Sequence, residues 1–328
     1  MASSKGISVT ILSDEAEDIA QAIHQKMDEN GDCRLDNGMP LIHIALVTSS
    51  PKAVDTANTQ VLLADPDLAA EIVLDCHTLR WIQSTWAGNA PLLNLAKTDY
   101  LLTGLKGVFG KLMREYVFAY LLQHARSVSD FSTNQRASPP FWKTIPRFPL
   151  DGQTLGITGL GNIGEALIPV AHAFGMKVIG LSRSGRSVSG TEKMYTAETL
   201  VEFAQRSDHV VNLMPETPAT QNLLSYDFFR ALKPYSVFIN AGRGSAINEE
   251  ALLTCLNEQC FKHAVLDVFR QEPLGSAHPF WHHPRVSVTC HTAAESQPSD
   301  VATVFLDNAM QFILGRPLHY RLDFEKGY

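Results

Sequence analysis

The chain has 328 residues, 27 Lys and Arg against 34 Asp and Glu for a net charge of −7, and 45 % hydrophobic against 19 % charged residues. That length predicts two domains, and the composition excludes disordered, collagenous and coiled-coil classes. The acidic balance lacks the basic excess of a nucleic-acid binder, no stretch before Asp14 reads as a signal peptide, and no apolar run reaches the roughly 18 residues of a membrane helix.

Five cysteines (Cys33, Cys76, Cys255, Cys260, Cys290) are odd in number, widely spaced and without a CxxC pair. They read as small buried hydrophobes in a reducing compartment rather than as a disulfide framework, so the expected location is the cytoplasm.

Residues 8–12 read as a strand, and 14–27 place Ile19, Ala20, Ile23 and Met27 at helical spacing. Strands follow at 41–47 and 61–63, Asp65-Pro66-Asp67 opens a helix near Leu68, and 81–84 and 100–103 are strands again. Such alternation implies an α/β fold with parallel sheets covered on both faces. A long amphipathic helix is expected over 111–126, then a surface loop rich in Pro, Ser and aromatics over 136–148. Residues 155–158 form a buried-strand run, and a helix is expected from the following glycines to about Phe174, ended by Gly175. Pro169 within that helix predicts a kink, at a cost of up to about 3 kcal/mol. Further strands are expected at 177–181, 210–214, 237–240, 264–268 and 286–289, with a helix over 248–256 capped by Asn248 and a last helix over 299–314.

The sharpest pattern is Gly159-Leu160-Gly161-Asn162-Ile163-Gly164, placed between a strand and a helix within a βαβ unit. In that context the first glycine permits the turn, the second lets a pyrophosphate approach the backbone, and the third lets helix and strand pack. The helix N-terminus then offers N–H groups and positive potential to phosphates, so a dinucleotide site is expected. The next strand ends in Ser182-Arg183-Ser184-Gly185-Arg186, with no carboxylate to take a ribose hydroxyl. Arginines and hydroxyls suit a 2′-phosphate, so NADP(H) is the expected cofactor and NAD(H) the alternative.

These segments together resemble the D-isomer-specific 2-hydroxyacid dehydrogenases, and within them the glyoxylate/hydroxypyruvate reductase branch. The resemblance is carried by residues 79–84 with Ala87-Gly88, Gly107 to Gly110 through Val117, the glycine motif, Ser182-Arg183-Ser184 and Met214-Pro215-Glu216-Thr217-Pro218. It continues in 239–244, in 266–269 with Glu272-Pro273-Leu274, in 283–286 through His291, and in the tail from Leu322 to Tyr328. The first 75 residues are far less distinctive.

The resemblance implies a flavodoxin-like substrate domain (1–104, completed by 297–328), a Rossmann cofactor domain (105–296), a cleft between them, and a homodimer formed through the cofactor domain. It implies a catalytic trio of Arg243, Glu272 and His291. The histidine would donate a proton to the new alkoxide, a neighbouring Glu272 would favour its imidazolium, and Arg243 would bind a substrate carboxylate and polarise its keto oxygen. Trp86, Ala87 and Gly88 would line the substrate site, with backbone N–H groups on the carboxylate. Met214, Pro215, Thr220, Ala241, Gly242 and Asp267 would join the cofactor site, Asp267 at the nicotinamide end. The implied reaction is NADPH-dependent reduction of a small 2-oxo acid, such as glyoxylate or hydroxypyruvate, to the D-2-hydroxy acid.

The chain departs from the family pattern at Cys290, where Pro is common, at Gly242, where Ala is usual, and at Trp86, where a smaller residue is common. Gly242 is expected to loosen the backbone beside Arg243, and Trp86 to narrow the pocket. Four other readings compete with this one. His278, His282, His283, Cys290 and His291 crowd one stretch but match no zinc spacing, so no metal is expected. A formate-dehydrogenase-like activity would place Gln where Glu272 stands. A phosphoglycerate-dehydrogenase reading would often bring a further C-terminal regulatory domain. A nucleotide-sensing scaffold like the C-terminal-binding-protein corepressors would keep the trio but turn over poorly.

Overall fold

The computed structural model describes residues 6–30 and 41–325. Cys33, the first five residues and the tail motif at Gly327 and Tyr328 lie outside the described residues. The chain divides into two compact units, Met1–Val108 with Ser296–Tyr328, and Phe109–Glu295.

The first unit begins with β1 (Ile7–Leu12), α1 (Ala16–Asn30), β2 (Ile42–Thr48), β3 (Val61–Ala64), α2 (Pro66–Ala70), β4 (Trp81–Ser84), α3 (Ala90–Leu93) and β5 (Leu101–Thr103). Its sheet is parallel throughout, in the order β2-β1-β3-β4-β5. That is the flavodoxin-like order, with the reversal between β1 and β3. Every residue of β3 and β4 is buried, as a strand covered on both faces requires.

The second unit opens with α4 (Gly110–Ala125) and α5 (Val128–Arg136), then β6 (Thr154–Thr158), α6 (Asn162–Ala173), β7 (Lys177–Leu181), β8 (Lys193–Tyr195), α7 (Leu200–Arg206) and β9 (His209–Asn212). It closes with α8 (Tyr226–Arg230), β10 (Val237–Asn240), α9 (Glu249–Asn257), β11 (His263–Leu266) and β12 (Val286–Val288). The seven strands run in the order β12-β11-β10-β9-β6-β7-β8, all parallel. This is a Rossmann sheet extended by one strand, and its order reverses between β6 and β9, where such sheets bind ligands. Two apolar layers cover it. One packs Val117, Leu121 and Leu167 over β6, and the other packs Phe203, Phe228 and Leu252 over β9 and β10. The final helix, α10 (Pro298–Ile313), belongs to the first unit, where Phe305 and Phe312 stack on Trp81 at 5.6 and 5.2 Å.

Each strand and helix expected from the sequence is present, with ends displaced by three residues at most. Thus the strand expected at 210–214 is β9 (His209–Asn212), and the helix expected over 111–126 is α4 (Gly110–Ala125). Gly175 ends α6 in the left-handed region at φ 70°, with Met176 N–H bonded to Ala171 C=O at 2.9 Å. The helix runs through Pro169 to Ala173. Five short elements went unread in the sequence: α3, α5, α7, α8 and β8.

Candidate active site

In a parallel sheet all strands end on the same edge, and here that edge collects the chemistry. Gly159 follows β6, Ser182 follows β7, Met214 follows β9, Ala241 to Arg243 follow β10, Asp267 follows β11, and Thr289 to His291 follow β12. Residues scattered over more than a hundred positions thereby share one edge of one unit.

The glycine motif forms the β6–α6 turn. Gly159 lies at φ 72°, and a Cβ there would stand 2.6 Å from Met214 N, so a side chain is excluded by both conformation and space. Gly161 is exposed and caps α6, and Gly164 packs α6 against Ile157 of β6. Leu160 is buried, Asn162 is exposed and Ile163 is half-buried. The turn therefore fits a dinucleotide: an open backbone at a helix N-terminus with no side chain over it. Arg183, Ser184 and Arg186 are exposed beyond β7, Ser184 Oγ accepts the Arg186 N–H at 3.3 Å, and Ser182 N–H bonds Tyr195 C=O. Thr220 ties its own turn, donating to Pro215 C=O at 2.7 Å and accepting the Thr217 N–H at 3.0 Å.

Glu272 and His291 meet directly. Glu272 Oε2 lies 2.8 Å from His291 Nδ1, and Glu272 Oε1 accepts the Phe269 N–H at 2.8 Å. The ring is thus fixed through Nδ1, and its other nitrogen is left to face outward from a side chain that is 53 % exposed. His291 sits at φ 58° and its N–H donates to Asp267 C=O at 2.8 Å. Arg243 is half-buried, and Nη1 donates to Gly242 C=O at 2.7 Å. Burial pulls its guanidinium below the usual range, while Glu216 and Glu272 act in the opposite sense. Glu272 therefore touches His291 and acts electrostatically on Arg243.

Asp267, expected at the nicotinamide end, also organises its own chain. It is 1 % exposed, and its carboxylate accepts Thr289 O–H at 2.6 Å, Thr292 N–H at 2.9 Å and Ala293 N–H at 3.0 Å. Those bonds hold the turn that carries His291. Tyr116, on α4, meets Thr289 Oγ1 at 2.7 Å, and burial pushes its phenol upward, so it stays neutral.

Gly242 corrects an expectation. It is buried against the Met214 backbone, where a Cβ would lie 2.8 Å from Met214 N, so it serves close packing rather than looseness. A chain of buried amides joins the same loops. Thr158 O–H donates to Asn212 Oδ1 at 2.7 Å, Met214 N–H donates to the same oxygen, and Asn212 Nδ2 donates to Asn240 Oδ1 at 2.8 Å. Asn240 then accepts Gly242 N–H and donates to Arg243 C=O at 3.3 Å. None of Thr158, Asn212 and Asn240 was singled out from the sequence. The available signal was a polar residue at the last position of each of three apolar strands.

In the first unit, Trp86 (40 % exposed) and Ala87 are exposed after β4, and Gly88 is half-buried. Asn89 Nδ2 donates to the carbonyls of Trp86 and Ala87 at 3.4 and 3.3 Å, and Leu105 N–H also bonds Trp86 C=O, which fixes the loop's course. Trp281, in the second unit, is 46 % exposed and its Nε1–H donates to Gly275 C=O at 3.0 Å.

Residues 118–293 match the model of the D-isomer specific 2-hydroxyacid dehydrogenase NAD binding domain. The chain belongs to the D-isomer specific 2-hydroxyacid dehydrogenase family. It is 32 % identical over 244 residues to the glyoxylate/hydroxypyruvate reductase A of Serratia proteamaculans, covering 74 % of each chain. Among solved structures it is similar to a member of the family from Aeromonas salmonicida (34 % identity, TM-score 0.85, 98 % of this chain and 100 % of that one). It is also similar to an NADPH-dependent glyoxylate/hydroxypyruvate reductase from Sinorhizobium meliloti in complex with NADP and sulfate (28 % identity, TM-score 0.82, 98 % and 99 % covered). Family membership makes the chain an NAD(P)-dependent oxidoreductase of the glyoxylate/hydroxypyruvate reductase branch.

Proposed function

We propose that the protein reduces small polar 2-oxo acids, glyoxylate and hydroxypyruvate foremost, to D-2-hydroxy acids with NADPH. The observation that carries this reading is the Glu272–His291 contact at 2.8 Å, with the half-buried Arg243 guanidinium in the electrostatic field of Glu272 and the glycine turn on the same sheet edge. NADPH is favoured by Arg183, Ser184 and Arg186 beyond β7, and by the NADP held by the Sinorhizobium meliloti relative.

The residues divide the work as follows. The reduced nicotinamide, when bound, supplies the hydride to the carbonyl carbon. Arg243 binds the substrate carboxylate and polarises the keto oxygen, placing positive charge where negative charge develops. His291 delivers a proton from Nε2 to that oxygen. Glu272 holds the ring at Nδ1 and stabilises its protonated form, and Asp267 holds the backbone that aims it. In the first unit, the Ala87 and Gly88 N–H groups suit a carboxylate, and Trp86 beside them disfavours long or branched side chains.

A second copy of the chain is proposed to pair through the cofactor unit. Residues 140–149 carry no regular secondary structure, and Phe141, Trp142 and Phe148 are 50, 102 and 43 % exposed there. Exposed aromatics of that number mark a surface that an assembly covers. Among the described residues no helix is long and apolar enough to cross a membrane, and the thiols of Cys76, Cys255, Cys260 and Cys290 are free, in keeping with a reducing cytoplasm.

The test is a series of 2-oxo acids from glyoxylate to phenylpyruvate, each with NADPH and NADH, with chiral analysis of lactate formed from pyruvate. Highest kcat/KM with glyoxylate or hydroxypyruvate and NADPH, and D-lactate, are expected. Preference for phenylpyruvate overturns the small pocket, L-lactate overturns the stereochemistry, and cofactor binding without turnover supports the sensor reading instead.

A further inference from the structure

The C-terminal end of α9 is built differently from an ordinary helix end. Gln259 lies in the left-handed region at φ 60°, Cys260 N–H bonds Cys255 C=O at 2.9 Å, and Gln259 N–H bonds Leu256 C=O at 3.2 Å. This pair of bonds is the Schellman motif, which folds the residue after the turn back onto the last helical turn. The two side chains it brings together are normally apolar. Here both are thiols, and the capping residue between them, Glu258, adds a carboxylate on the same side. One ligand atom from each of Cys255, Glu258 and Cys260 lies within 4.8 Å of the others.

We infer that Cys255, Glu258 and Cys260 form a binding site for a thiophilic divalent cation such as Zn²⁺. A tetrahedral ion with Zn–S bonds of about 2.3 Å sets its donors roughly 3.5–4 Å apart, so side-chain rotation of about 1 Å closes the set, with water as the fourth ligand. Cys255 is fully buried while Cys260 is partly exposed and Glu258 exposed, so the ion enters from the Cys260 side. Tyr226 O–H donates to Glu258 Oε2 at 3.0 Å, and Arg230 Nη1 lies 3.6 Å from the same oxygen. The Arg230 pair is solvent-exposed and holds the carboxylate only weakly, so an ion displaces it readily.

Binding is an exchange without redox change: two metal–sulfur bonds form and the two S–H protons pass to solvent. Glu272, His291 and the glycine turn take no part, so the site stands or falls independently of the reductase reading.

The experiment uses the full chain, metal-free and reduced with a phosphine. Zn²⁺ is titrated against a chromophoric chelator, and Cd²⁺ is added separately to read thiolate-to-metal charge transfer in the ultraviolet. One equivalent should bind, with charge-transfer absorbance. Cys260→Ser should abolish the absorbance and weaken Zn²⁺ by at least about a hundredfold, Glu258→Gln should weaken it by roughly tenfold, and Cys290→Ser should leave it unchanged. Zn²⁺ should raise the melting temperature of the wild type and not of Cys260→Ser, which also confirms that the variant is folded. A cap whose thiols merely pack gives no binding, and that result overturns the proposal. So does binding that survives Cys260→Ser, or that is lost in Cys290→Ser.

Discussion

His291 Nδ1 lies 2.8 Å from Glu272 Oε2, on a residue whose backbone is held at φ 58° by a bond to Asp267. The ring can therefore act only through Nε2. Replacing His291 by Asn keeps a residue that tolerates the left-handed backbone and removes the proton donor. His291→Asn should lower kcat for 2-oxo acid reduction by about a hundred- to ten-thousandfold while NADPH binding stays within about threefold of wild type. Glu272→Gln keeps the shape but not the charge and should cost roughly tenfold. Steady-state kinetics with a fluorescence titration of NADPH checks both, and a His291→Asn enzyme with near-normal kcat would remove histidine from the proton-donor role.

Much of this arrangement was legible beforehand, for definite physical reasons. Strands buried on both faces, such as β3, β6 and β10, are short unbroken apolar runs, and Gly159 to Gly164 can serve few turns other than a strand-to-helix entry. The unread elements α5, α7 and α8 are nine, seven and five residues long, too short for a helical period to stand out. Asp267 shows the limit at the site itself. A carboxylate after a strand reads equally well as a ligand contact or as an acceptor for its own chain, and only the fold reveals the N–H groups of Thr292 and Ala293 that meet it. Thr158, Asn212 and Asn240 are far apart in sequence, and their partnership exists only once β6, β9 and β10 lie side by side.

Cofactor choice is expected to rest on the loop beyond β7. A charge-assisted bond to a phosphate contributes about 1.5–3 kcal/mol, or roughly ten- to a hundredfold in affinity. Arg183→Ala should weaken NADPH by that factor and change NADH by less than about twofold. Dissociation constants for both nucleotides provide the check, and equal losses for the two would mean that the arginine does not read the 2′-phosphate.

Arg243 is expected to act through its planar fork and not through charge alone. Lysine retains the charge but cannot bridge a carboxylate and a keto oxygen in the same plane. Arg243→Lys should therefore lower kcat/KM by about a hundredfold or more, with the larger part in kcat. Recovery of more than about a tenth of wild-type efficiency would show that a point charge suffices.

The buried amide chain should position that same arginine. Asn240→Asp keeps the acceptor for Asn212 and Gly242 but puts a carboxylate oxygen against the Arg243 carbonyl in place of a donor. Leaving that carbonyl unpaired costs about 1–3 kcal/mol, and the loop can relieve the cost by moving. The expected result is a drop in kcat of about tenfold or more, with KM for NADPH little changed. A purely structural role would lower the melting temperature and leave kcat per folded molecule intact, so both are measured on the same preparation.

Acid should destabilise the second unit through three histidines, two that open strands β9 and β11 and one in the last turn of α4. His209 opens β9 and is 5 % exposed; its Nδ1 accepts the Val237 N–H at 3.1 Å and its Nε2 meets Gln153 Oε1 at 2.8 Å. Nδ1 must stay unprotonated to accept that bond, which fixes the neutral ring with its hydrogen on Nε2. Burial is the main cause that brings His209 down to about 4, with Asp208 opposing and His124, Lys262 and Lys233 reinforcing it. His124 and His263, whose rings lie 4.4 Å apart, are brought down to about 4 and about 3, again chiefly by burial. In the unfolded chain these rings titrate near 6.5, so between about pH 6.5 and pH 4 the unfolded state binds more protons than the folded one. The stability they contribute is complete above about pH 6.5 and is lost as the pH falls toward 4, by about 1–3 kcal/mol per ring. Urea unfolding at pH 7.5 and pH 5.0 should show this loss. His209→Gln, which cannot take up a proton, should be less stable than wild type at pH 7.5 but should lose less on acidification. An identical pH dependence in the two proteins would assign the acid sensitivity to other groups.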